Sequence, residues 1–304
     1  MQLHKNKFVL AENSIIFKRS QFFELYSGPD DLYLEATLNT ENGVSCYFNK
    51  EKTNSWRSPS RGTFAGPTIV GNVSPHDYDT ALRIFETELV KQGAKSIHYS
   101  LQPSYISQDY SDLTETLLWH QGYRLSQSNM NHHISVNDRP FIESISPSKR
   151  RLLKKNLKQG HRVKKLASNY LEEVYDLIAQ NREKRGLKPS MSKFELKNFY
   201  QAFKDQVHMF GVEASNGLIA AAFCIQIMPS TIYVFYWGHR PDSTKPSPMI
   251  LLHKGIYQYC LEQNIRCIDL GTSTTIDQID WGLTFFKNTL NSIISKKVNM
   301  SKKV

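Results

Sequence analysis

The chain has 304 residues, 40% hydrophobic, 12% aromatic and 22% charged, which suits about two folded domains and excludes a disordered chain. Its longest unbroken apolar run, Leu218–Ile225, is far shorter than a membrane span, and Met1 to Lys5 hold no apolar signal core, so neither a membrane helix nor export is expected. The net charge of +10 is concentrated: Lys149–Lys165 holds nine cations and no acid, and Lys296, Lys297, Lys302 and Lys303 add four more.

In chain order, Leu32–Leu38 and Val44–Phe48 read as strands around Asn42-Gly43, a hairpin signal because type I′ turns need positive φ at both central residues. Ser74-Pro75 then opens a helix, serine as cap and proline at a position with no hydrogen bond to lose. Tyr78, Leu82, Phe85 and Leu89 share one face of it, and Gly93 stops it. A strand at Ser96–Leu101 follows, then a helix through Leu113 and Leu117 to Gly122-Tyr123. Asn169-x-x-Glu172 and Ser192-x-x-Glu195 read as capping boxes. They precede Leu171, Val174, Tyr175, Ile178 and Leu196, Phe199, Tyr200, Phe203, both at helical spacing.

The first pattern then recurs. Val207–Ala214 and Leu218–Ile227 flank Asn216-Gly217, a strand Ile232–Trp237 follows, and Ser247-Pro248 opens a helix through Leu252, Ile256 and Tyr259 that stops near Asn264. Ile265–Leu270 is again a strand, and Gly282–Leu290 again helical. The hairpins lie 174 residues apart and the Ser-Pro starts 173, so the chain reads as an internal duplication. The fold class expected is α/β, an α+β mixed sheet in two tandem units, with the division at 1–147 and 148–304.

Two helices, an antiparallel meander, then helix, strand and helix resembles the GNAT acyltransferase fold, and a tandem of such units resembles its FemABX-like branch. Leu117-Leu118-Trp119-His120-Gln121-Gly122-Tyr123 is similar to the closing helix and Gly-aromatic turn of GNAT proteins. Ser148–Val163, with Arg150-Arg151, Lys154-Lys155 and Gly160, is similar to the basic lead-in to the second unit of Fem-like and CelD-like acetyltransferases. Asn181-Arg182 with Arg185-Gly186 resembles the end of that family's first helix. Ile268–Thr274 (IDLGTST) and Gly282–Lys287 (GLTFFK) resemble its closing strand, loop and helix. Where GNAT proteins carry Gln/Arg-x-x-Gly-x-Gly/Ala to cradle phosphates, this chain has Lys245-Pro246-Ser247-Pro248.

The resemblance implies an N-acyltransferase acting on an amine acceptor, its first unit shaping an acceptor groove and its second carrying the donor. It also implies that strands Ile232–Trp237 and Ile265–Leu270 splay to expose backbone groups. Acyl-CoA is the donor expected from the fold; aminoacyl-tRNA is the alternative expected from the Fem-type branch and the basic segment. The site residues expected are Asp269, Ser273, Asp280 and Lys287, with Tyr236 lining the site. Ser247, Pro248 and Met249 form a helix start whose free amides and dipole suit an anionic cofactor.

Each has a plainer alternative: Asp269 as a loop cap, Lys287 as a solvated surface lysine, Tyr236 as core. Lys149–Lys165 could contact RNA or other phosphates, or be a packed helix with a solvated basic face. A non-enzymatic nucleic-acid-binding module is the reading from another class. Cys46, Cys224, Cys260 and Cys267 have no metal-ligand spacing, so no metal and a reduced cytoplasmic compartment are expected.

Overall fold

A computed structural model describes residues 1–10, 15–59, 61–241, 246–275 and 277–304. The chain forms two compact units. One comprises Met1–Met130 with Ser295–Val304, the other Asn131–Ile294. Compared with a division at 147/148, residues 131–147 belong to the second unit and the last ten residues to the first.

The first unit contains β1 (Gln2–Lys5), α1 (Ser20–Tyr26), β2 (Leu32–Thr37), β3 (Gly43–Glu51), β4 (Ser55–Ser58), β5 (Thr68–Val70), α2 (Pro75–Lys91), β6 (Ser96–Ser100) and α3 (Gln108–His120). The chain crosses to the second unit within β7 (Arg124–Ser135). There follow α4 (Phe141–Ser144), α5 (Pro147–Lys158), β8 (Arg162–Leu166), α6 (Leu171–Glu183), α7 (Lys193–Ala202), β9 (Val207–Ala214), β10 (Gly217–Met228), β11 (Thr231–His239), α8 (Met249–Glu262), β12 (Cys267–Thr272) and α9 (Trp281–Asn288). It returns to the first unit within β13 (Ile293–Lys303).

One plan serves both units. In the first, β2, β3 and β4 form an antiparallel meander, β6 joins β4 in parallel, and β13 closes against β6 antiparallel. In the second, β9, β10 and β11 form the meander, β12 joins β11 in parallel, and the end of β7 closes against β12 antiparallel. The closing strands are exchanged: β7 follows the first unit's last helix yet pairs with β12 of the second unit, and β13 follows the second unit's last helix yet pairs with β6 of the first. Each unit has its own apolar core. Phe48, Trp56, Phe85 and Tyr99 centre the first, and Ile232, Ile256, Tyr257 and Ile268 the second.

The helix ends carry the duplication into detail. Gly93 after α2 (φ 81°) and Asn264 after α8 (φ 57°) both adopt the left-handed conformation. The next amides close the same terminal bond, Ala94 N to Leu89 O and Ile265 N to Cys260 O. Ser74 caps α2 through the Asp77 amide, and Ser192 and Glu195 form the expected capping box on α7.

Three local expectations resolve differently. Asn169 does not cap α6; it lies in a 3-10 turn, Ser168–Tyr170, and α6 starts at Leu171 behind an uncapped Tyr170. Gly43 pairs with Thr37, so Leu38–Asn42 form a longer loop, with Asn42 Oδ1 accepting from Asn72 N. In the second hairpin Ser215 and Asn216 make the turn, and Gly217 (φ 101°) supplies the positive dihedral.

Candidate active site

The second unit's parallel pair comes apart. β11 and β12 are in register only over Thr231–Tyr233 and Cys267–Asp269, although β11 runs on to His239 and β12 to Thr272. In the first unit β4 and β6 stay paired to Ser58–Tyr99, and an Ala65–Leu101 bridge continues the contact. The parting begins where β12 bulges. Asp269 Oδ1 accepts from Gly271 N at 2.7 Å and from Asn131 Nδ2 at 3.1 Å. It thereby pins a bulge in β12 opposite His132 and His133, and Gly271 takes φ 71° to complete it.

A cavity of about 600 Å³ occupies this region. Val234, Phe235 and Trp237 of β11, Leu270 of β12 and Leu283 and Phe286 of α9 give it apolar walls, and Thr272, Ser273, Arg182, Arg185 and Lys287 add polar groups. α9 turns Thr284 and Lys287 inward and leaves Trp281 and Phe285 in solvent.

Lys287 is fully buried, which excludes the solvated-lysine alternative. Its Nζ donates to Gly271 O at 2.8 Å and Thr272 O at 2.9 Å. Burial lowers its pKa to about 7, against the opposing pull of Asp269 and Asp280. Near neutrality the amine therefore exchanges between two forms. Neutral, it spends two N–H bonds on the carbonyls and keeps a lone pair; charged, it has a third N–H to give. Asp269→Asn keeps an acceptor for Gly271 N but removes the charge that favours the ammonium. The acid limb of a pH–rate profile governed by Lys287 is therefore expected to move below that of the unsubstituted protein, and an unmoved limb would refute this coupling.

Ser273 is equally enclosed. Its Oγ accepts from Thr284 Oγ1 at 2.8 Å and lies 2.8 Å from His132 Nε2, while His132 Nδ1 faces Ser292 Oγ at 3.1 Å. With Thr284 donating, Ser273 keeps its own proton to give to Nε2 in the tautomer that carries the ring proton on Nδ1. Burial, then Lys287 and His133, lower the His132 pKa to about 4, keeping the imidazole neutral.

The remaining expected residues divide. Asp280 caps α9 through the Leu283 amide at 2.8 Å and pairs with Arg185 at 3.0 Å, so it lines the cavity already engaged. Asp269 is buried and acts on the shape of the site. Tyr236 does not line the cavity. It carries Arg182 over its ring at 5.1 Å, and its hydroxyl binds Ser190 Oγ and Met191 N.

Ser247 and Met249 line the cavity, but Pro248, in helical conformation, holds the N-cap position without a side-chain cap bond. Ser247 O is taken by Asn156 Nδ2 of α5 at 3.0 Å. Lys245, part of the Lys245-Pro246-Ser247-Pro248 stretch, lies outside the described residues. Among the described residues no three His, Cys, Asp or Glu side chains gather as metal ligands.

The basic segment is split between anchored and exposed cations. Lys149 sits 5.1 Å over the Phe286 ring beside the cavity, and burial lowers its pKa. Arg150 binds Ile145 O and Glu143 O, Lys164 pairs with Glu213, and Lys165 stacks on Tyr259. Arg151, Lys154, Lys155, Lys158 and Arg162 stand in solvent. The sequence reading missed His132, Asn131 and Thr284. Asn131-His132-His133 was the one available signal, a polar triplet inside a strand.

Residues 147–285 match the family model described as Acetyltransferase (GNAT) domain. No curated protein matches the sequence. Among solved structures, the crystal structure of FemX is similar over 95% of this chain and 92% of its own, with TM-score 0.72 and 13% identity. A C-terminal domain assigned to a lysylphosphatidylglycerol synthetase from Agrobacterium fabrum covers 90% of this chain and 84% of its own, at TM-score 0.60 and 11% identity. A tandem GNAT protein from the clavulanic acid biosynthesis pathway covers 91% and 85%, at TM-score 0.54 and 8% identity. At such identities the likeness is one of fold. The chain has a FemABX-like tandem GNAT fold.

Proposed function

On the premise of a GNAT-type transferase fold, we propose that the second unit moves an acyl group from acyl-CoA to an amine acceptor. The observation that carries this reading is the parting of β11 and β12 beside the buried amine of Lys287. Acyl transfer to nitrogen needs a deprotonated amine, a carbonyl held within attack distance and fixed donors for the oxyanion. A slot between separated strands, walled by Val234, Trp237, Leu270 and Phe286, suits an extended thioester arm. Beyond Tyr233 the edge of β11 has no partner in β12, so its backbone can face the carbonyl.

Neutral Lys287 accepts the proton that the attacking amine sheds. The resulting ammonium has a third N–H to give to the developing oxyanion or to the leaving group. A proton carrier with pKa about 7 is matched to this task at neutral pH. The start of α8 and Lys149 would meet the phosphates of the donor. Three of the four cysteines, Cys46, Cys224 and Cys260, are buried, which suits a reduced cytoplasmic setting. No helix among the described residues is long and apolar enough to cross a membrane.

A second reading makes aminoacyl-tRNA the donor. It is favoured by the exposed row Arg151, Lys154, Lys155, Lys158 and Arg162, and by Pro248 standing where a glycine cradle would offer amides. A thermal-shift panel of acetyl-CoA, longer acyl-CoAs and charged tRNA separates the two. Acyl-CoA is expected to raise the melting temperature, and Lys154→Glu, Lys155→Glu and Lys158→Glu together to leave that response in place. A shift with charged tRNA alone, abolished by the triple change, would reverse the order. Binding of uncharged RNA with no transfer from either donor would make the chain a nucleic-acid-binding module.

A further inference from the structure

We propose that Ser273 is a nucleophile that carries the acyl group as an ester between donor and acceptor, with His132 as its base; the inference rests on the transferase reading. Three elements converge on this serine: β7 brings His132, the end of β12 brings Ser273, and α9 brings Thr284. Ser273 is one of the residues lining the cavity, and its Oγ lies 2.8 Å from His132 Nε2 and accepts from Thr284 Oγ1 at 2.8 Å. The far side of the ring is fixed by Ser292 Oγ at 3.1 Å. A hydroxyl, a base in contact with it and a third group orienting the base make up the arrangement that activates serine in acyl transfer, whatever the fold. The imidazole stays neutral above about pH 4, which leaves one ring nitrogen free to accept a proton.

The step balances within the groups named. Ser273 Oγ attacks the thioester carbonyl as its proton passes to His132 Nε2. The tetrahedral adduct collapses, the C–S bond breaks, and the departing thiolate takes that proton, leaving an acyl ester on Ser273. The acceptor amine then attacks the ester carbonyl and gives its proton to Lys287. The C–Oγ bond breaks, and Ser273 recovers a proton from the Lys287 ammonium. With an aminoacyl-tRNA donor the bond broken first is C–O, and the ribose hydroxyl receives the proton.

The two routes differ before any acceptor is added. With acetyl-CoA, a longer acyl-CoA and aminoacyl-tRNA in parallel arms and no amine present, the ester route predicts a burst of free thiol or deacylated tRNA of one equivalent per protein. Acid quench and peptide mass spectrometry should find a hydroxylamine-labile acyl group on Ser273. Ser273→Ala should abolish it, Ser273→Cys should carry it as a thioester, and His132→Gln should slow its formation by about 10²-fold or more. Donor release that waits for an amine, with Ser273 unmodified, or an acyl group on another residue, would overturn the ester and leave the transferase reading standing. Binding of no donor in any arm would overturn both.

Discussion

Lys287→Met is expected to lower kcat for acyl transfer by about 10²–10⁴-fold, the usual contribution of a positioned proton carrier. The pH profile gives the more specific result. The folded-state pKa of about 7 lies below that of a free lysine because burial penalises the ammonium. Below it Lys287 is charged and cannot accept the amine's proton; above it the lone pair is available. The unsubstituted rate should therefore rise with pH, pass its midpoint near pH 7 and level off. Lys287→Arg should not restore it, since a guanidinium stays charged across this range. A rising limb that persists unchanged in Lys287→Met would assign the titration to another group and end the proposed role.

Gly271→Ala should impair both activity and stability. The residue sits at φ 71°, where a side chain costs about 1–2 kcal/mol. A Cβ would also come within 3.3 Å of the Tyr233 ring, so strain and crowding add. The functional loss should exceed what that strain implies. Gly271 N is held by Asp269 and Gly271 O holds Lys287, so one substitution disturbs both the parting of the strands and the amine beside it. Denaturant unfolding and kcat measured on the same preparation check this. A variant losing stability but keeping full activity would show that the bulge is dispensable to the chemistry.

The duplicated plan was legible because its signals are local and recur in one order: Asn-Gly hairpins, Ser-Pro starts and helix stops at Gly93 and near Asn264, offset by 173 to 174 residues. A capping box writes itself in four residues, which is why Ser192 and Glu195 could be read directly. Asn169 shows the limit of such reading, since the same pattern loses to a 3-10 turn when the next helix packs differently. Lys287, Ser273 and Asp280 were expected from the closing strand, loop and helix, and all three line the cavity. The bulge beside the strand parting was invisible, because it rests on Asp269 turning back on an amide two residues ahead. His132 was missed because Ser273, its partner, is 141 residues away. Tyr236 was expected to line the site, but its hydroxyl is spent on Ser190 and Met191, a contact across 45 residues that no local pattern announces. The exchange of closing strands leaves no mark in the sequence, since a strand's composition is the same whichever sheet edge it joins.

That exchange has a consequence for how the molecule is made. Residues 295–304 leave the ribosome only after the entire second unit has been synthesised, yet they supply the neighbour of β6. Throughout that interval the nascent first unit offers β6 as a bare edge, the kind of template that recruits foreign strands. The second unit, whose closing strand precedes it in the chain, can finish folding as soon as α9 emerges. The half of the protein made first is thus the half completed last.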